Sequence, residues 1–121
     1  MASATEIAKS YFAALNAHDL DGATALWAPD AVDRLVGGVE LHGPEGVRQY
    51  FAALFAAFPD FSLEVLECTT SHHRVAVRWQ AQGTFAGPGE FEGFAPNGAR
   101  VDLEGCDVLT VSDDLIRHND A

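Results

Sequence analysis

At Pro59 the hydrophobic period of this chain changes, and no other feature constrains its fold as strongly. Before it, Val47, Tyr50, Phe51, Leu54, Phe55 and Phe58 recur at helical spacing, a broad apolar stripe on a helix that Pro44 opens and Pro59 stops. After it, Phe61, Leu63 and Val65, then Val75, Val77 and Trp79, alternate with polar neighbours as strands buried on one face do. Helices first and strands afterwards predict an α+β domain, with helices packed on one face of a curved antiparallel sheet that encloses a pocket.

The remaining elements follow from local signals. Ser3 and Glu6 have capping-box spacing, and Ile7, Tyr11, Ala14 and Leu15 follow at helical intervals, predicting a first helix to about Asn16. Asp19 or Asp21 caps a short second helix carrying Leu26 and Trp27, which Pro29 and Asp30 end. Residues 31–36 and 39–42 form a small hairpin around Gly37 and Gly38. A turn at residues 69–73 joins the first two long strands. A Gly/Pro loop at residues 87–89 and a Pro96-Asn97-Gly98 turn lead to a strand over 100–112, and Asp113-Asp114 turns into a last strand, 115–120. Apolar positions change parity from Val101 and Leu103 to Val108, so a bulge or bend is expected at Gly105.

Composition excludes whole classes of function. At 121 residues the chain supports one domain, taken as residues 1–121. A net charge of −11 repels nucleic-acid phosphates and anionic lipids. The longest apolar run, residues 50–58, is far short of the roughly 20 residues a membrane helix needs. The first residues lack the pattern of a leader peptide, so the cytoplasm is the expected location. Cys68 and Cys106 are read as reduced core thiols. No phosphate-binding glycine loop, nucleophile triad or zinc spacing is present, which points to chemistry without a metal or an organic cofactor.

Residues 11–22 (YFAALNAHDLDG) and 26–31 (LWAPDA) resemble the opening of the NTF2-like superfamily, and within it the SnoaL-like polyketide cyclases. Residues 43–51 (GPEGVRQYF), 58–60 (FPD), 75–79 (VAVRW), 105–111 (GCDVLTV) and 116–120 (IRHND) extend the similarity along nearly the whole chain. The resemblance implies the NTF2-like cone, in which three N-terminal helices and the curved sheet enclose a pocket. It also implies a homodimer, formed through the sheet face away from that pocket. A fold shared by so many activities leaves function to the site.

The cyclase branch ends its last strand in a His or Arg, a variable residue and an acid-base Asp, which maps onto His118, Asn119 and Asp120. By this resemblance Asp120 is the general acid and base of an aldol cyclisation or isomerisation, acting next to a carbonyl of a small apolar molecule. Alternation puts Ile116, His118 and Asp120 on one face, where His118 can donate to Asp120 or to a substrate oxygen. The ketosteroid isomerase branch supplies a helix tyrosine, matching Tyr11, and a protonated oxyanion-hole Asp, matching Asp107. Its base would fall in the small hairpin, where the alignment puts Arg34. The epoxide hydrolase branch requires an Asp where this chain has Ala76.

Tyr11 reads equally as a core tyrosine or as a donor. Trp27, Phe51, Phe55, Trp79 and Phe91 are read as an aromatic wall, with core packing as the alternative. His42 is placed at the pocket mouth or in a turn, and Arg34 and Glu104 complete the substrate-binding candidates. The chain stops at Ala121, soon after the motif, and an unusually open pocket is therefore expected. A binding protein that keeps the pocket without chemistry is the competing class.

Overall fold

A computed structural model describes residues 2–121. The first helix, α1 (Ala4–Asn16), begins at the expected capping box, with the Ser3 hydroxyl accepting from the Glu6 amide and the Glu6 carboxylate from the Ser3 amide. Its apolar face buries Ile7, Ala8, Tyr11, Phe12 and Leu15. The second helix, α2 (Leu20–Thr24), is capped by Asp19 but ends before Trp27. Residues expected at its end instead begin a strand, β1 (Trp27–Arg34). Trp27 and Ala28 are both buried, so Leu26 and Trp27, expected on that helix, belong instead to a chain entering the sheet from the core.

β1 hairpins into the short β2 (Glu40–His42), and α3 (Gly43–Ala57) follows with Pro44 in its first turn. On α3 only Val47 and the two end residues, Gly43 and Ala57, are fully buried; Tyr50, Phe51 and Leu54, and Phe58 just after the helix, are half-buried. That exposure is the mark of a helix that roofs a cavity. Four strands complete the chain: β3 (Ser62–Ser71), β4 (Arg74–Thr84), β5 (Arg100–Ser112) and β6 (Leu115–Asp120). Asp113 and Asp114 both take positive φ, 53° and 63°, in the two-residue turn between the last two.

The six strands form one curved sheet in the order β2-β1-β6-β5-β4-β3. All neighbours are antiparallel except β1 and β6, which run parallel. The curved, mainly antiparallel sheet is as expected, and its one parallel pair arises because the last strand returns to lie beside the first. This non-local pairing places Asp33 directly beside Asn119.

Two register features decide which side chains face the helices. The β4–β5 pairing runs unbroken from Arg74–Thr110 to Thr84–Arg100, so no bulge occurs at Gly105. Val101, Leu103, Gly105, Asp107 and Leu109 keep one parity and face inward, while Val108 is a half-buried outer residue. One bulge lies in β6, as another lies in β3 between Val65 and Glu67. Ile116 pairs with Val111 and His118 with Thr110, leaving Arg117 as the extra residue. Its side chain turns back to the hairpin, donating to the Ser112 carbonyl and pairing with Asp113. After the bulge the alternation is reversed: Ile116 and Asn119 are buried, and His118 and Asp120 lie on the outer side.

The outer surface of the sheet is a polar ladder in which Arg78 bridges Glu67 and Glu104, and Asp102 accepts from Gln80 and Gln82. Cys106 is exposed on this side and Cys68 half-buried, so Cys106 is not the core thiol expected. The loop between β4 and β5 folds back on α3, with the Ala86 and Gly87 amides donating to the Ala57 carbonyl. A Cβ at Gly87 would overlap the Ala56 carbonyl, which is why glycine stands there. Among the described residues no helix is long and apolar enough to cross a membrane.

Candidate active site

Between the inner sheet face, α1 and α3 lies a cavity of about 410 Å³. Its polar wall is built by three neighbouring strands. Parallel pairing of β1 with β6 sets Asp33 beside Asn119, and antiparallel pairing of β6 with β5 sets Asn119 opposite Leu109, two residues from Asp107. The Asn119 amide, Nδ2, then donates to both carboxylates, to Asp33 Oδ1 and Asp107 Oδ2, each at 3.0 Å. Trp79 Nε1 donates to the other Asp107 oxygen at 3.0 Å.

The Trp79 bond depends on Gly105. These two residues are directly paired across β4 and β5, and the indole lies over the glycine to reach Asp107 diagonally. A Cβ at position 105 would collide with the indole ring. Gly105→Ala is therefore expected to push Trp79 away from Asp107, costing roughly 2 kcal/mol, the worth of a hydrogen bond to a charged group. Urea unfolding reads the loss, and the indole N–H resonance of Trp79 should move while that of Trp27 stays. Unchanged stability and resonance would contradict this role of the glycine.

Burial sets the electrostatics. Asp33 is 1% exposed and its carboxyl is pushed up from 3.8 to about 7, first by desolvation and then by the charge of Asp107, against the Asn119 hydrogen bond. Asp107 is raised by desolvation too, but two donors oppose the rise. With donors on both its oxygens, Asp107 ionises first and Asp33 holds the proton that exchanges near neutrality. Tyr11 is buried, and its phenol is held well above 10 by desolvation and by both carboxylates, so it remains an O–H donor. Its ring packs edge-on against Phe12 and Trp27. Tyr50, on α3, is pushed up to about 12 by burial and then by Glu92 and Asp33.

A second cavity of about 430 Å³ adjoins the first, and the two share Tyr50, Leu54, Phe61, Ala81, Glu92 and Leu103. Phe58, Phe85, Phe91 and Phe94 wall its far end. Phe91 and Phe94 bridge each other around a two-residue turn in which Glu92 takes a φ of 51° and Gly93 one of 84°. That turn holds Glu92 at the passage between the cavities.

The sequence candidates divide accordingly. Tyr11, Phe51, Trp79 and Asp107 line the inner cavity, and Phe91 the outer one. Asp120 and His118 do not: they pair with each other at 3.2 Å on the outer side, because the bulge at Arg117 reverses the assumed alternation. Arg34 points outward to Glu40, and its neighbour Asp33 occupies the inward position the alignment had given to the arginine. Glu104 belongs to the outer ladder. His42 is exposed beside Glu40, outside both cavities. Trp27 is a core residue behind Tyr11, and Phe55 stacks on His18, with ring centroids 4.2 Å apart.

Sequence reasoning missed Asp33, Asn119, Tyr50 and Glu92 as site residues. The signal for Asp33 was present, a carboxylate in the hairpin where a base was sought, and it was displaced by one position. Among the described residues no group of three or more His, Cys, Asp or Glu is arranged to hold a metal ion.

Comparison with known proteins places the architecture. A family model described as a SnoaL-like domain matches residues 8–119. The proposed polyketide cyclase IdmH of Streptomyces antibioticus is 26% identical, with a TM-score of 0.83 over 98% of this chain and 90% of its own. AclR of Streptomyces galilaeus, a proposed hydroxylase, is 28% identical, with a TM-score of 0.79 over 97% of this chain and 72% of its own. A SnoaL-like protein from Jannaschia, 22% identical, shares the fold with a TM-score of 0.85 over 97% of this chain and 82% of its own. No curated protein matches the sequence.

Proposed function

The chain belongs to the SnoaL-like domain family, and from that premise we propose that it is an enzyme of proton transfer at a carbon next to a carbonyl, with Asp33 as general base and acid. The observation that carries this reading is a carboxyl group 1% exposed, pushed to about 7, in a cavity lined by a buried tyrosine and a second carboxylate. A group that titrates near the working pH is half available as base and half as acid, the optimum for general acid–base catalysis.

In this mechanism the Asp33 carboxylate removes a proton from the carbon, and the electron pair moves into the carbonyl to give an enolate. The Tyr11 hydroxyl, kept protonated by its burial, donates to the enolate oxygen. Asp33 then returns the proton, to another carbon in an isomerisation or to the new alkoxide after an aldol ring closure. Asp107 stays ionised under its two donors, and its charge keeps the Asp33 proton affinity high. The neighbours named as a polyketide cyclase and a hydroxylase favour an enzyme over a passive carrier.

The test is solvent deuterium exchange into a panel of cyclic β-keto esters and enones, followed by NMR. Wild type should exchange with an acidic limb near pH 7, Asp33→Asn should lose about 10²–10⁴-fold, and Asp120→Asn should match wild type. Loss of exchange in Asp120→Asn with Asp33→Asn still active would move the base to the outer strand end and refute the proposal. Tight binding without exchange by wild type would make the protein a carrier.

A further inference from the structure

Neither cavity contains a basic side chain: no Lys, Arg or His is among the residues lining them. Asp33 and Asp107 form the polar wall of the inner one, and Glu92 stands at the passage. Arg34, adjacent to Asp33 in sequence, is turned outward and already paired with Glu40. With −11 on the whole chain, an anionic ligand would be opposed at every stage of entry.

The hydrogen-bond inventory is equally one-sided. Both Asp107 oxygens have donors, but Asp33 is held through Oδ1 alone, and its Oδ2 accepts nothing from the described residues. Asn119 Oδ1 is also buried without a donor. Once Asp33 is ionised, the wall therefore has acceptors to spare and takes a donor from the ligand. Around it stand the aromatic rings of Tyr11, Phe51, Phe61 and Trp79. Ring faces carry negative potential and attract cations, most of all where water is excluded.

We propose that the ligand of this cavity carries a protonated amine, its N–H donated to Asp33 Oδ2, its alkyl groups against the surrounding rings and its apolar body extending past Glu92 into the aromatic chamber. A neutral alcohol or amide would also supply a donor, but would leave the carboxylates without a countercharge. The groups that face Asp33 are Tyr11 from α1, Tyr50 from α3, Asp107 from β5 and Asn119 from β6, while the charge of Asp120 reaches it from the outer side of β6. None is cationic, so the ammonium is the positive charge that ionises Asp33, and binding below pH 7 releases its proton to solvent. An ammonium on Oδ2 occupies the oxygen that would accept a carbon proton, so the amine binds in place of an exchanging substrate, and the inference concerns the ligand charge that the cavity accepts rather than the proton transfer itself. A binding readout separates the two.

The experiment is calorimetric titration with 1-(dimethylaminomethyl)naphthalene and its neutral isostere, 1-isobutylnaphthalene, between pH 5 and 8. The amine should bind about tenfold or more tightly than the hydrocarbon at pH 8. Its advantage should shrink towards pH 5, and buffers of different ionisation enthalpy should report proton release near pH 6. Asp33→Asn should remove the advantage and the proton release while still binding the hydrocarbon. Glu104→Gln, on the outer ladder, should keep both, which separates the cavity from general attraction to an acidic surface. Equal affinities, tighter binding of the hydrocarbon, no binding of the amine at millimolar concentration, or an advantage that survives in Asp33→Asn would each overturn the proposal.

Discussion

Asp33→Asn is expected to stabilise the protein at pH 8 by an amount on the order of 4 kcal/mol while abolishing carbon-acid exchange. The sign follows from proton counting. Folding raises the Asp33 carboxyl from 3.8 to about 7, so between those values the native state binds more protons than the unfolded chain. Stability must then fall as pH rises through that window, and the full penalty, about 1.4 kcal/mol for each tenfold rise in proton affinity on folding, is present above pH 7. Asparagine has nearly the same shape, still offers an oxygen to the Asn119 amide, and does not ionise. Wild type and variant should therefore coincide near pH 4 and diverge progressively to pH 8 in urea unfolding. Parallel stability curves would mean that Asp33 has an ordinary affinity for its proton. A group that costs stability at the pH where it works is the usual signature of a site kept for function.

The second large effect has the opposite sign. Asn119 supplies one amide to two buried carboxylates, so Asn119→Leu removes two hydrogen bonds and leaves both charges less compensated. The expected cost at pH 8 is about 3–5 kcal/mol, shrinking at low pH where both carboxyls are neutral. Because the lost donor favoured the ionised forms, the acidic limb of exchange should also move upward from its wild-type position. Urea unfolding at two pH values and an exchange profile check the two halves. A variant as stable as wild type at pH 8 would show that the amide does not hold the pair.

How much of this was legible in the sequence depended on the range of the interaction. The capping box at Ser3, the helix opened by Pro44 and the last hairpin turn are local, and their residues carry their own signals. Tyr11 and Asp107 are legible through the family resemblance, and both line the cavity. What failed was parity. A strand has a period of two, so an error of one residue moves every side chain to the other face. At the hairpin that error exchanged Asp33 for Arg34. In β6 the extra residue at Arg117 reversed the alternation and turned Asp120 and His118 outward, leaving Asn119 inside. Nothing local marks that bulge, because its register is set by the non-local partners β1 and β5. At Gly105 the error ran the other way: an apolar Val108 suggested a break where the strand is regular, and the glycine is there to let Trp79 cross it.

The central claim is that Asp33 holds an exchangeable proton near neutrality because burial desolvates its carboxyl and the ionised Asp107 beside it raises the proton affinity further. The most direct measurement is an NMR titration of the protein labelled with ¹³C at aspartate carboxyls, assigned with Asp33→Asn and repeated in Asp107→Asn. The expected result is an Asp33 midpoint near pH 7 in wild type and a lower one once the Asp107 charge is gone. An Asp33 midpoint near that of an ordinary exposed carboxyl, or one that does not move in Asp107→Asn, would contradict it.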